Sequence, residues 1–219
     1  MPQSARALSV STSEPPRRSR HGHFDLAAAW YDLVFGRGDP AALLVPLGVV
    51  PGVTVLDIGG GTGRVAERLR EAGATVVVLD VSLAMLARAR RRRLNAVVAL
   101  AEALPVGTDS CDGLVVVDAL HHFADQAWAV RELVRVVRPG GRIVIEEPDL
   151  GRLPAKLIAL GERLAGMQSH FLAPPEIARL LVDAGAEIEA IVPDGWSAHV
   201  VATKLRAPDE ARRSGGTGS

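Results

Sequence analysis

The chain has 219 residues, of which 25 are Lys or Arg and 25 are Asp or Glu, so its formal net charge is zero. This length predicts one domain with a buried core, and the charge balance disfavours nucleic acid or anionic lipid as a partner. The single cysteine, Cys111, excludes an intramolecular disulfide and fits a reducing compartment.

No apolar stretch reaches the roughly 18 residues of a membrane-spanning helix, so no integral membrane segment is expected. Residues 1–20 are rich in Ser, Pro and Arg and lack the apolar core of a secretory signal. We therefore predict a cytoplasmic protein with a disordered tail at 1–20. A second disordered tail is predicted at 207–219, where charged residues, Gly and Ser dominate. Between the tails we expect a single domain over 21–206.

Residues 21–50 show two short helical patterns, and apolar strands alternate with amphipathic helices from Val53 onward. This alternation is typical of a parallel α/β sheet that is covered on both faces. Pro193–Trp196 separates the last two strands and favours a hairpin, which makes the last strand antiparallel. Strands are predicted near 53–58, 75–80, 96–100, 112–117, 142–147, 187–192 and 198–204, and helices near 62–72, 83–93, 125–137 and 175–185.

The first predicted strand runs through Asp57 into a turn with four glycines, directly before a helix. Gly59, Gly60, Gly61 and Gly63 let a ligand approach the backbone and tolerate positive φ angles. The helix that follows directs its N-terminal amides at the same place. An aspartate here would repel a pyrophosphate but suits a ligand that carries an ammonium and a sulfonium.

Four motifs in register over residues 53–148 resemble those of the class I S-adenosylmethionine (SAM) methyltransferases. The first three are the glycine turn, Asp80 at the end of the second strand followed by Ser-x-x-Met-Leu, and the Ala-Glu-x-Leu-Pro loop at 101–105. The fourth is the turn before the fifth strand at 135–141, which ends in Arg-Pro-Gly-Gly. The resemblance implies a Rossmann-like doubly wound fold with a seven-stranded sheet in the order 3-2-1-4-5-7-6.

The resemblance also implies SAM as the cofactor, with the glycine turn at its methionine part, Asp80 at the ribose and the 101–105 loop at the adenine. The chain departs from the family at Leu100, where an aspartate often bonds the adenine amino group, so adenine depends on Ala101, Glu102 or apolar contacts. The cofactor-binding candidates are Tyr31, Asp57, Gly59, Gly61, Thr62, Gly63, Asp80, Val81, Ala101, Glu102 and Asp118.

His121 and His122 follow the fourth strand, where methyl acceptors enter in this fold, and are the catalytic candidates. Methyl transfer requires that the acceptor atom is held in line with the methyl group. A carbon or phenol acceptor must also lose one proton, which a histidine can take. Adjacent residues seldom face the same way, so at most one should reach substrate; in the alternative reading both only bond the backbone or shape the pocket. Their spacing does not suit a metal, and no metal is expected. Glu146, Glu147 and Asp149 end the fifth strand, where one acid could contact substrate, although a solvated strand end is the default interpretation.

Phe24, Trp30 and Tyr31 resemble the opening of methyltransferases of the quinone-biosynthesis type, whose N-terminal helices fold over the cofactor; residues 21–50 are therefore interpreted as a lid. That branch usually shows Leu-Arg-Asn where this chain has Leu120, His121 and His122, which weakens an assignment to a quinone precursor.

The leading hypothesis is a SAM-dependent methyltransferase for a small-molecule acceptor, with aromatic and quinol-like compounds among those considered and a homodimer left open. A tRNA or protein methyltransferase is disfavoured by the zero net charge and by the lack of an Asn/Asp-Pro-Pro-Tyr-type motif. A SAM-binding regulatory protein without turnover stays open because of the altered adenine loop at Leu100.

Overall fold

The computed structural model describes residues 43–151 and 169–206. The predicted tails, the lid residues 21–42 and the candidate Tyr31 lie outside the described residues. Across the part of the chain that is described, no helix is long and apolar enough to cross a membrane.

Seven strands form one mixed sheet in the order β3-β2-β1-β4-β5-β7-β6, which confirms the predicted topology. Strands β1 to β5 are parallel, whereas β7 is antiparallel to both β5 and β6. The winding reverses between β1 and β4, which opens a crevice at the carboxyl ends of these strands. The strands are β1 (Thr54–Ile58), β2 (Thr75–Asp80), β3 (Asn95–Val98), β4 (Cys111–Val117), β5 (Val137–Pro148), β6 (Ala186–Asp194) and β7 (Ser197–Lys204).

The described α-helices are α1 (Arg64–Glu71), α2 (Leu83–Arg91), α3 (Gln126–Val136) and α4 (Pro174–Asp183), and a 3₁₀ turn covers Leu120–His122. Two of these helices begin with a side-chain cap. Ser82 Oγ accepts a hydrogen bond from the Met85 amide at the start of α2, and Asp125 Oδ1 accepts one from the Trp128 amide at the start of α3.

Each face of the sheet has its own apolar core. Successive residues of β1 alternate between them, since Val55 packs with α1 and α2 on one face and Leu56 packs with α3 and α4 on the other. Because both faces are covered, the central strands contain almost only apolar residues, and polar side chains are confined to the strand ends.

The fifth strand differs from its prediction, because it begins at Val137 rather than near 142. Its pairing with β4 jumps from Cys111 opposite Val137 to Gly113 opposite Arg142, so residues 138–141 form a bulge. The predicted Arg-Pro-Gly-Gly turn is therefore an irregularity inside the strand. A side chain at Gly141 would lie 2.6 Å from the Asp112 carbonyl oxygen, which explains the glycine at this close approach.

Gly63 precedes α1 and has a φ of +79°. A Cβ at this position would overlap Leu94 Cδ1 and lie 3.2 Å from Ala89 Cβ, so the turn packs directly on the end of α2 and the residues after it. The glycine is needed both for the backbone conformation and for this packing.

Gly63→Ala should lower the free energy of unfolding by about 2–4 kcal/mol, since it adds backbone strain to overpacking. Gly185→Ala is the matched control, because Gly185 also has a positive φ (+97°) but nothing lies within 4 Å of a Cβ there. Urea unfolding of both variants should show the larger loss at Gly63. Equal losses would show that the contact with Leu94 is unimportant.

Candidate active site

Five carboxylates lie at the carboxyl ends of four neighbouring strands. Four of them are buried: Asp57, Asp118, Glu146 and Glu147. The fifth, Asp80, is half-buried at the rim of the crevice. Buried carboxylates are costly unless hydrogen-bond donors or cations compensate them, so the partners of each one define what this edge can bind.

Asp80 joins the glycine turn to the start of α2. Its Oδ2 accepts a hydrogen bond from the Gly61 amide at 2.9 Å, and its Oδ1 accepts one from the Ser82 amide at 2.7 Å. The carboxylate thus fixes the ends of β1 and β2 relative to each other. Val81, the next candidate, is half-buried beside it.

Asp57 lies beneath the turn, where a Cβ on Gly60 would overlap its carboxyl group. Asp57 Oδ2 accepts a hydrogen bond from the Ala66 amide at 3.2 Å, whereas Oδ1 has no hydrogen-bond partner within residues 43–151 and 169–206. Burial raises the pKa of Asp57 to about 7; the Ala66 amide opposes this and the charge of Asp80 adds to it. A positive charge above the turn would stabilise the ionised form.

The turn glycines differ in what surrounds them. A Cβ on Gly59 would lie 2.5 Å from Ala119 Cβ, so the turn after β1 packs tightly on the loop after β4. Gly61 is different, because its Cβ would meet nothing closer than Met85 Sδ at 3.9 Å and Asp80 Oδ2 at 4.0 Å. Packing within the described chain explains Gly59, but it leaves room for a side chain at Gly61. Within the described residues the space beside Gly61 is therefore open, and we call this space the cradle. Thr62, the next candidate, is buried within the turn.

The predicted adenine loop is fastened to α3. Glu102 Oε1 accepts hydrogen bonds from the amides of Ala124 at 2.8 Å and Asp125 at 3.2 Å, and the Glu102 carbonyl accepts one from Trp128 Nε1 at 2.8 Å. The sequence interpretation considered this carboxylate as a contact for adenine. Ala101 is buried next to it. A role of either residue toward adenine stays a prediction.

His121 is buried and held by Glu147. Its Nδ1 lies 2.5 Å from Glu147 Oε2, and Glu147 Oε1 accepts hydrogen bonds from the amides of Ala119 at 2.9 Å and Leu120 at 2.7 Å. The imidazole also stacks on Phe171, with ring centroids 4.3 Å apart and planes at 16°. One carboxylate therefore positions both the backbone of the 3₁₀ turn and the ring.

His122 has different neighbours. It is half-buried, and its Nδ1 lies 3.3 Å from Ser169 Oγ. The rings of His121 and His122 have centroids 4.0 Å apart but planes at 52°. The two rings therefore lie against each other at a tilt but have different polar partners, Glu147 for His121 and Ser169 for His122. That only one of them reaches substrate stays a prediction.

Asp118 has an unusual backbone conformation for a non-glycine residue, with a φ of +50°. Burial raises the pKa of Asp118 to about 8, helped by the charges of Glu147 and Glu146 and opposed by His121. Burial thus favours the neutral form of this carboxyl group, which lies at the end of β4 where the turn after β1 and the loop of His121 meet.

Sequence reasoning missed the roles of Glu146 and Glu147, which it interpreted as a solvated strand end. Both are buried. Glu146 Oε2 lies 3.2 Å from His199 Nε2 on the neighbouring strand, and this carboxylate raises the pKa of His199. The available signal was position, because two acids at the end of a strand covered on both faces must find partners inside the protein.

Known proteins resemble this chain in both sequence and structure. The methyltransferase domain family matches residues 56–145. A demethylmenaquinone methyltransferase from Renibacterium salmoninarum is 33% identical over 164 residues, which cover 69% of each chain. One from Mycolicibacterium paratuberculosis is 40% identical over 101 residues, 46% of this chain and 44% of that protein.

A solved structure, a SAM-dependent methyltransferase from Thermotoga maritima, superimposes with a TM-score of 0.71 at 21% identity and covers 84% of this chain and 99% of that one. It has the same fold. Together with the match to the Renibacterium protein, this establishes the family: the chain belongs to the class I SAM-dependent methyltransferases.

Proposed function

We propose that this chain binds SAM at the carboxyl ends of β1, β2 and β4 and methylates a small hydroxylated aromatic or quinol-like molecule. The main support is the open space at Gly61, whose amide donates a hydrogen bond to Asp80 and which follows Gly60, the residue that packs on the buried carboxylate of Asp57. When bound, SAM supplies a methyl group that its sulfonium makes electrophilic.

The residues present fit such a ligand. Gly61 leaves space for the methionine part, and the buried Asp57 favours the nearby positive charges of an ammonium and a sulfonium. The N-terminal amides of α1 suit the carboxylate of the same amino-acid group.

Asp80 is the proposed ribose residue. Its carboxylate is half-buried at the rim of the crevice and already accepts hydrogen bonds from backbone amides, and ribose hydroxyls are donors of the kind that such an acceptor binds. Leu83 exposes 64% of its surface at the start of α2. Together with Val81 it offers an apolar surface for adenine beside Ala101.

On the acceptor side, His121 is the proposed general base and His122 a lining residue. His121 is the more suitable of the two, because Glu147 and Phe171 hold its ring in one orientation, and efficient proton transfer depends on such alignment.

The named relatives support a quinol-type acceptor, since they are demethylmenaquinone methyltransferases. The chain carries Leu120, His121 and His122 where the quinone branch usually has Leu-Arg-Asn. We therefore propose a chemical class of methyl acceptor and do not name a single compound. A hydroxyl on an aromatic ring is the shared feature, because its deprotonation activates both the oxygen and the ring carbons.

The experiment has two stages. SAM binding is first measured by calorimetry, and conversion of SAM to S-adenosylhomocysteine is then followed with a panel of phenols, quinols and amines. We expect binding, and turnover with phenols or quinols. Turnover with amines alone would contradict the acceptor class, and binding without any turnover would favour the regulatory alternative.

Gly61→Ala should reduce SAM affinity at least about tenfold while it changes the unfolding free energy by no more than about 1–2 kcal/mol, because the added methyl group fills the cradle and contacts little protein. Gly185→Ala, with its equally open surroundings, should bind SAM as the wild type does. Calorimetric titration measures both. Normal SAM affinity in Gly61→Ala would place the cofactor elsewhere.

SAM binding should release protons at acidic pH. Burial raises the pKa of Asp57 to about 7, and a bound cation lowers it again, so below pH 7 the carboxyl group must lose its proton as SAM binds. Affinity should therefore rise with pH by up to about tenfold per unit and level off above pH 7.

Titrations at pH 6 in two buffers of different ionisation enthalpy measure this release, which should be about one proton per SAM. Asp57→Asn keeps an oxygen for the Ala66 amide but cannot titrate, so it should abolish most of the release. If Asp57→Asn releases as many protons per SAM as the wild type does, the protons come from another group.

His121→Ala should lower the single-turnover methylation rate by about 10²-fold or more, because it removes the general base, while SAM affinity stays near that of the wild type. His122→Ala should cause a smaller loss. Rapid-quench measurements with an accepted phenol or quinol test both variants, and full activity in His121→Ala would rule out its role as base.

A further inference from the structure

We propose that Glu147 is a positioning residue that fixes the tautomer of His121, so that Nε2 of the ring takes the proton of the methyl acceptor. This inference rests on the proposed function, in which His121 is the general base.

Three hydrogen-bond donors converge on the Glu147 carboxylate. Oε1 accepts from the amides of Ala119 and Leu120, and Oε2 lies 2.5 Å from His121 Nδ1. The side chains of both partners are almost fully buried, with 3% and 4% exposed. In such surroundings a hydrogen bond to a charged acceptor is strong and competing water is scarce.

The tautomer follows from this arrangement. Glu147 Oε1 accepts from two backbone amides, and we infer that Oε2 is likewise an acceptor, which places the hydrogen on Nδ1 of His121. In a neutral imidazole the other nitrogen, Nε2, then carries the lone pair. Glu147 therefore directs the basic nitrogen of the ring away from itself.

The ring orientation is anchored in the sheet. Glu147 belongs to β5 and pairs with Ala198 of β7, so its backbone cannot shift independently. Phe171 stacks on the imidazole, and the His170 amide donates a hydrogen bond of 2.9 Å to the His121 carbonyl. Together these contacts hold the base in a fixed place, which is what a proton transfer synchronised with methyl transfer requires.

The proposed step is balanced. His121 Nε2 gains the proton as the O–H bond of the acceptor breaks, and the electron pair of that bond stays on the acceptor. This pair forms, from the oxygen or through the ring, the new bond to the methyl carbon, while the pair of the cleaved carbon–sulfur bond stays on sulfur. The positive charge of the sulfonium is thereby replaced by that of an imidazolium beside the Glu147 carboxylate.

The alternative is that Glu147 only holds the 3₁₀ turn. Glu147→Gln separates the two roles, because a glutamine keeps an oxygen for the amides of Ala119 and Leu120 but places an NH₂ group against His121 Nδ1. Nδ1 must then accept, and the hydrogen moves to Nε2, which can no longer act as base. Glu71→Gln is the matched control, since Glu71 is an exposed residue at the end of α1.

The experiment measures four quantities on the wild type and both variants: SAM affinity, the thermal midpoint, the single-turnover rate with an accepted phenol or quinol, and the ¹⁵N NMR shifts of the histidine rings. In Glu147→Gln the rate should fall by about 10²- to 10⁴-fold, while affinity and midpoint stay near those of the wild type. The hydrogen of His121 should move from Nδ1 to Nε2. Adding His121→Ala to Glu147→Gln should cause no further loss of rate, since the two residues act as one unit.

A full rate in Glu147→Gln, or a further loss in the double variant, would overturn the inference and leave the proposed function standing. The wild-type spectrum needs no variant to fold, and a hydrogen on Nε2 there would overturn the inference directly. A wild type that binds SAM but methylates no acceptor would contradict the proposed function itself, and the role of Glu147 with it.

Discussion

Covering the sheet on both faces confines the chemistry of this protein to one edge. Apolar side chains fill the cores on the two faces, so acidic residues enter the buried region only where the strands end. There each carboxylate needs hydrogen-bond donors, and the donors that it contacts determine the local structure of the site. Asp80 accepts hydrogen bonds from the amides of two loops, and Glu147 accepts them from two amides and contacts the ring of a histidine. One carboxylate oxygen of Asp57 has no hydrogen-bond partner within the described residues.

This arrangement divides the edge into two halves. Around β1 and β2 lie the carboxylates of Asp57 and Asp80 and the open glycine turn, where we propose that SAM binds. Around β4 and β5, the pair of His121 and Glu147 lies beside Asp118, a carboxyl group whose neutral form is favoured by burial. Ala119 lies at the boundary, since it packs on Gly59 and donates its amide to Glu147. A change in one half can therefore reach the other through a single residue.

Much of the fold could be predicted from the sequence, because the alternation of strands and helices and the glycine turn are local patterns. Strand order came from the resemblance of four motifs, and the structure confirms it. The bond between Glu147 and His121 could not be predicted, since it joins residues 26 positions apart through the register of neighbouring strands. The hydrogen bonds of Glu102 could not be predicted for the same reason, because its partners, Ala124 and Asp125, are distant in sequence and come close only in the folded chain. The left-handed conformation of Asp118 has no sequence signal, since a non-glycine residue adopts it only when its surroundings impose it.

A crystal structure with bound S-adenosylhomocysteine would show whether the cradle at Gly61 and the carboxylate of Asp80 form the cofactor site. We expect the ribose hydroxyls within hydrogen-bond distance of Asp80 and the methionine part against Gly61, with the sulfur directed toward His121. A ligand bound elsewhere, or one that contacts neither Asp80 nor Gly61, would rule out this cofactor site.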